Sequence, residues 1–128
     1  MKNNYFEIKF NPDNGSVSSI TNLKDPHKMN WCIEDGGWGL IQYNNTFEIE
    51  SIYKKEGSIS NIPLKEFNQT ENDCTAVYEN MSLTVKAERF FTENGCYNER
   101  YTIKNLRETD FFLEQGTLGI VLPFNDIY

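Results

Sequence analysis

From Leu83 onward, apolar and polar residues alternate through three successive segments, residues 83–91, 97–106 and 111–122. Leu83, Val85 and Ala87 alternate with Thr84, Lys86 and Glu88. Tyr97, Tyr101 and Ile103 then alternate with Asn98, Arg100, Thr102 and Lys104. A period of two marks an antiparallel strand with one buried face, because successive side chains of a strand point to opposite sides. The chain opens in the same way. Phe6, Ile8 and Phe10 share one face, and Tyr5, Glu7 and Lys9 share the other. Asn11-Pro12-Asp13-Asn14-Gly15 follows, and residues 16–20 return with Val17 and Ile20 as their apolar positions. Proline fixes φ and Asn-Gly supplies positive φ, so this segment predicts a hairpin.

Between these regions the pattern is less regular. Residues 22–30 are polar, contain Asp25-Pro26, and read as a loop. Residues 31–39 hold Trp31, Trp38 and the glycines 36, 37 and 39, which predict a sharply bent loop. Strands are expected at 40–43 and 46–53, joined by a two-residue turn at Asn44-Asn45. A polar connection spans 54–61. A weaker strand spans 63–69, with Pro63 at its start or on a sheet edge. Residues 74–79 alternate again, Ala76 and Tyr78 against Thr75 and Val77, and Asn80 turns into the next strand. No segment carries helical periodicity. Strands recurring about every 8–12 residues with turn chemistry between them are the pattern of a sandwich. The expected fold is therefore all-β, an antiparallel two-sheet sandwich with little or no helix, built as a single domain over residues 1–128. Its last residues are rich in apolar side chains, where natural termini are usually polar. The chain is therefore expected to be part of a larger protein.

Composition and charge narrow the function. Hydrophobic residues make up 38% of the chain, yet aromatics make up 14%, so a few aromatic-rich strands must supply the core. The net charge is −7, and Lys54-Lys55 is the sole basic doublet. Phosphate backbones and anionic lipid surfaces need clustered cations, so neither nucleic acid nor membrane is an expected partner. A neutral ligand such as a sugar is compatible with this charge. The apolar stretches are too short for a membrane-spanning helix. Cys32, Cys74 and Cys96 are widely spaced and match no zinc pattern; they read as free thiols in a reducing compartment, with a Cys74–Cys96 disulfide as the alternative. Met1 leads straight into a strand without an apolar leader segment, which places the protein in the cytoplasm if Met1 is native and outside the cell if a leader was removed.

Candidate chemistry is sparse. His27 is the single histidine, in a polar loop, and no Gly-x-Ser-x-Gly elbow accompanies it. Glycoside hydrolysis needs two carboxylates about 5–10 Å apart. Glu88, Glu99 and Glu114 lie on expected strands and are the group that one face would have to bring together. No phosphate loop, dinucleotide fingerprint or metal-ligand pattern occurs, so no cofactor, metal or catalytic residue is assigned. The segment around the two tryptophans has the make-up of a carbohydrate site. Sugar C–H faces stack on aromatic rings while carboxylates and amides hold the hydroxyls. Trp31, Trp38 and Tyr43 are the candidate platforms, and Glu34 and Asp35 the candidate acceptors.

Several of these segments resemble the galactose-mutarotase-like β-supersandwich of carbohydrate-active enzymes. The opening Ile8-Lys9-Phe10, Gly15 and Ser18-Ser19-Ile20-Thr21-Asn22 is similar to the family's first hairpin. Ala87-Glu88-Arg89-Phe90-Phe91, Asn94-Gly95, Arg100-Tyr101-Thr102-Ile103-Lys104-Asn105 and Gly119-Ile120-Val121-Leu122-Pro123-Phe124 are similar to its later strands. The resemblance implies a non-catalytic domain that packs beside a C-terminal catalytic domain, such as that of a glycoside hydrolase, and contacts oligosaccharide or polysaccharide. The mutarotases themselves use a catalytic histidine and glutamate in a sandwich about twice this size; His27 does not match that histidine, so no catalytic residue is carried over. The alternatives are a small sugar-acting enzyme of the aldose-epimerase type and an immunoglobulin-like interaction module. Dimerisation through an exposed strand edge is a further expected partner mode.

Overall fold

A computed structural model of the protein describes residues 1–32, 37–44, 49–53 and 60–120, with Gly37, Trp38, Ser60 and Gln115 described by their backbone alone. Every regular element among them is a strand. The first hairpin pairs β1 (Phe6–Phe10) with β2 (Val17–Asn22). Next come β3 (Gly37–Tyr43), β4 (Glu50–Ser51) and β5 (Ser60–Asn61). Then follow β6 (Leu64–Gln69), β7 (Asp73–Glu79), β8 (Leu83–Phe91), β9 (Tyr97–Asn105) and β10 (Leu113–Ile120).

One four-stranded sheet runs β6-β7-β8-β9 and is antiparallel throughout; a second runs β10-β3-β4-β5, with only β4 and β5 parallel. The fold is an all-β, sandwich-like arrangement of antiparallel sheets. The strict alternation of the central run explains its regularity. Leu83, Val85 and Ala87 are fully buried, and the residues paired with them on β9 are Asn105, Ile103 and Tyr101.

Two apolar clusters lie on the β6–β9 sheet as on a common floor. Beneath the second sheet, Ile41, Ile52, Tyr53 and Ile62 meet Ala76, Tyr78, Leu83, Val85 and Ala87. Beneath the first hairpin, Ile8, Phe10, Val17 and Ile20 meet Cys32 and Cys74. The turn joining β1 to β2 is tied down by Gly15 N–H donating to Asn11 O (2.7 Å), and the Tyr78 hydroxyl reaches up to Asn14 O (2.6 Å).

The structure differs from the sequence pattern in several places. Of the strand expected over 46–53, the described residues form only β4, Glu50–Ser51, and the segment expected over 111–122 begins its strand at Leu113 and joins β3 in the second sheet. The strand expected from residue 40 begins at Gly37, inside the expected bent loop. A Cβ at Gly39 would run into Ile52, so this glycine lets β3 lie directly against Ile52 of the cluster beneath its own sheet, a close approach rather than a bend. Ser60-Asn61, expected in a polar connection, forms a short parallel pairing with β4, because Ile62 beside it is drawn fully into the core. Cys74 and Cys96 are both free, Cys74 buried and Cys96 exposed, which removes the disulfide alternative. Asn44 adopts the left-handed conformation of a turn residue (φ 56°), whereas Asn45 lies outside the described residues.

Candidate functional site

The sequence pattern places an arginine at an inward position of β8, after Leu83, Val85 and Ala87. Arg89 is accordingly 1% exposed, at the seam where the two apolar clusters meet. Its Nη2 donates to the Tyr53 hydroxyl (2.8 Å), Nη1 lies 4.0 Å from Cys74 Sγ, and the guanidinium stands 5.4 Å from the Phe10 ring centroid. Glu99 is its cross-strand partner on β9, with Oε1 3.8 Å from Arg89 Nε. That Nε makes no hydrogen bond. Glu99 is instead gripped by phenols: the Tyr97 hydroxyl donates to Oε1 (2.6 Å) and the Tyr101 hydroxyl to Oε2 (2.8 Å). The Tyr53 and Tyr101 hydroxyls are 3.3 Å apart and close the ring of contacts.

The electrostatics follow from burial. Removal from water pushes the phenols of Tyr53, Tyr78, Tyr97 and Tyr101 above the ordinary tyrosine range. The charge of Glu99 adds to this at Tyr97 and Tyr101, and the charge of Arg89 opposes it. Burial, reinforced by Glu99, likewise pushes the Cys32 thiol up to about 11. These groups therefore stay protonated, and two of them, Tyr97 and Tyr101, donate to the Glu99 carboxylate. The seam is a charge-paired network in which Arg89 Nε alone, among the seam atoms described, lacks a hydrogen bond.

The carboxylates expected to converge do not. Glu99 points into the seam. Glu88, which alternates with the inward residues of β8, faces out of the same sheet toward Arg100 and Lys86. Glu114 is exposed on β10 in the other sheet. Opposite faces and separate sheets keep the three apart, so they form no acid–base pair.

The expected aromatic platforms have different surroundings. Trp31 follows β2, donates its backbone N–H to Ile20 O (2.8 Å), and rests edge-on against Phe6 at 6.4 Å with 41% of its surface exposed. Tyr43 is 6% exposed; its ring stacks on Phe111 at 5.0 Å, and the Arg107 guanidinium stands 5.6 Å from its centroid. Asn80 Nδ2 donates to its hydroxyl (3.3 Å), so Tyr43 spends its ring and its oxygen inside the fold. Trp38 lies in β3 opposite Gly119. Glu34 and Asp35 lie outside the described residues. His27 is exposed in a turn whose Asp25 Oδ1 accepts its backbone N–H (3.0 Å).

A second site was not anticipated. Three turns meet at one end of the sandwich: the residues preceding β1, the β6–β7 turn and the β8–β9 turn. They enclose a depression of about 600 Å³ that opens to solvent. Asn4, Asn72, Glu93 and Asn94 expose polar side chains there, and Tyr5, 48% exposed, supplies an aromatic ring. The seam was legible as charge at inward positions of two neighbouring strands. The depression was not, because its asparagines come from three separate turns.

No protein-family model matches this chain, and neither does any curated protein or solved structure.

Proposed function

We propose that the chain is a non-catalytic β-sandwich domain of a carbohydrate-active protein, one that supports a catalytic domain and contacts glycan. The resemblance to the galactose-mutarotase-like supersandwich motivates this reading. The observation that carries it is the depression at one end of the sandwich, where the exposed Tyr5 ring and exposed amides occur together. Tyr5 borders the amide-lined depression with 48% of its surface exposed. Rings that stack on sugar faces beside amides that both donate and accept are the means by which a neutral polyol is held.

The carboxylates support the non-catalytic half of the reading. Glu99 is engaged by two phenols and Arg89, and Glu88 by two surface cations, so each is occupied in holding strands together. Titration of the intrinsic fluorescence with a panel of oligosaccharides tests the proposal. A saturable change at millimolar sugar is expected; flat traces across the panel would remove autonomous glycan contact. Acceleration of glucose or galactose anomer exchange would favour the epimerase-type alternative instead.

A further inference from the structure

We infer that the depression beside Tyr5 is a subsite for one neutral pyranose residue of a glycan, with the Tyr5 ring as its stacking face and the amides of Asn4, Asn72 and Asn94 as its hydroxyl partners. This rests on the reading that the domain contacts glycan, and adds where and which class.

The site is built on a rigid frame. Asn3 is wholly used as a staple: its Oδ1 accepts from the backbone N–H groups of Tyr5 (2.8 Å) and Phe6 (2.7 Å), and its Nδ2 donates to Gly95 O (3.0 Å). One side chain thus locks the segment carrying Tyr5 to the β8–β9 turn. That turn is itself cross-bonded, with Gly95 N–H donating to Thr92 O (2.9 Å) and Cys96 N–H to Thr92 Oγ1 (3.2 Å). Gly95 has φ 81°, and a Cβ there would lie 2.8 Å from Tyr5 Cδ2, so the ring sits against bare backbone. On the third side, Asn72 N–H bonds Thr70 Oγ1 (3.2 Å) and fixes the β6–β7 turn.

Against this frame the remaining amides stand out. Asn4, Asn72 and Asn94 are exposed, and their side chains make no hydrogen bond among the described residues. Each offers two donors and an acceptor, which matches neighbouring hydroxyls that also do both. A ring and amides already held in place lose little freedom on binding, so more of the contact energy becomes affinity. The volume falls within the range of about 300–1,000 Å³ usual for small-ligand sites.

Charge sets the class. Among the described residues, Glu93 is the only carboxylate lining the depression, and no lysine or arginine lines it. With a net charge of −7 on the chain, an anionic sugar meets net repulsion and finds no cation among the described lining residues; Lys24 stands over the Tyr5 ring and is not one of them. The exposed Lys24 ammonium lies 6.0 Å from the Tyr5 centroid, at the outer limit of a cation–π contact, where the attraction is weakest.

The test is a titration of the isotope-labelled full chain with neutral oligosaccharides of glucose, mannose and galactose, and with an oligogalacturonate, followed by backbone and side-chain amide NMR. Neutral glycans are expected to shift residues 3–5, 72 and 91–95, including the Asn72 and Asn94 side-chain amides. Tyr5→Ala is expected to weaken binding about tenfold, and Tyr5→Phe by less than about twofold, because stacking needs the ring and not the hydroxyl. Urea midpoints of both variants confirm that the fold is intact. Neutral glycan binding with shifts elsewhere, and an affinity indifferent to Tyr5→Ala, would overturn the subsite and leave the glycan-contact reading standing. Binding of the oligogalacturonate alone would overturn the neutral class. Binding of no glycan at all would overturn the broader reading and the subsite with it.

Discussion

Arg89 shows how much one residue can fix. A guanidinium with no exposed surface has given up its hydration, and its contacts with Tyr53, Glu99 and Phe10 must offset that cost. The seam is therefore most sensitive to loss of a single partner. Glu99→Ala leaves a buried cation without its counter-ion and two phenols without their acceptor. It is expected to lower stability by about 3 kcal/mol, read as a shifted urea midpoint. A loss below about 1 kcal/mol, the worth of an exposed ion pair, would mean that the network is only incidental. Continuing the alternation of β8 and β9 puts Arg89 and Glu99 at inward positions, a consequence the grouping of Glu99 with Glu88 and Glu114 missed. Tyr97 and Tyr101 share the face of Glu99 on the same strand, whereas only packing shows that Tyr53, far away in sequence, meets Arg89 and Tyr101.

At the scale of the element, alternation and turn residues account for most strands, and long-range packing accounts for the exceptions. The central run folds as its period of two requires, with β8 fully buried along its inner face and β9, at the sheet edge, half-buried. Outward-facing Arg100 and Lys104 are exposed on that edge strand, where charge discourages further pairing. The start of β3 obeys another rule, in which glycine buys proximity. Gly39→Ala would force a methyl group against Ile52 and Tyr53. The expected cost is about 2 kcal/mol with an unchanged denaturant m-value, because the core is overpacked while the surface exposed on unfolding stays the same. An unaltered midpoint would show that β3 can move away from Ile52.

For the whole molecule, the tyrosine seam couples stability to alkaline pH. In the unfolded chain a tyrosine ionises near pH 10; in the fold, burial holds Tyr53, Tyr78, Tyr97 and Tyr101 above that value. The folded state then binds more protons than the unfolded state, so stability falls as pH rises. The contribution is intact below about pH 10, and each further pH unit removes about 1.4 kcal/mol per buried phenol. Urea unfolding at pH 8, 10 and 11 should show a falling midpoint, with tyrosinate absorbance from these residues appearing only as the protein unfolds. A midpoint independent of pH over this range would place the phenols in contact with water.

The amino-acid sequence by itself determined the all-β class, the first hairpin and the β8–β9 pair, while the third segment of the run became β10 of the other sheet. Side-chain alternation and Asn-Gly chemistry are local properties, fixed by neighbours in the chain. It also marked Tyr43 and Trp31 as notable aromatics without distinguishing them. Tertiary structure alone decided that Tyr43 is buried on Phe111 while Trp31 stays exposed. It alone put Glu88 and Glu99 on opposite faces of one sheet, and assembled Tyr5, Asn72 and Asn94 around one depression. Those outcomes depend on which distant segments meet. Burial and cross-sheet contact are set by the packing of the whole chain, and the local pattern carries no record of them.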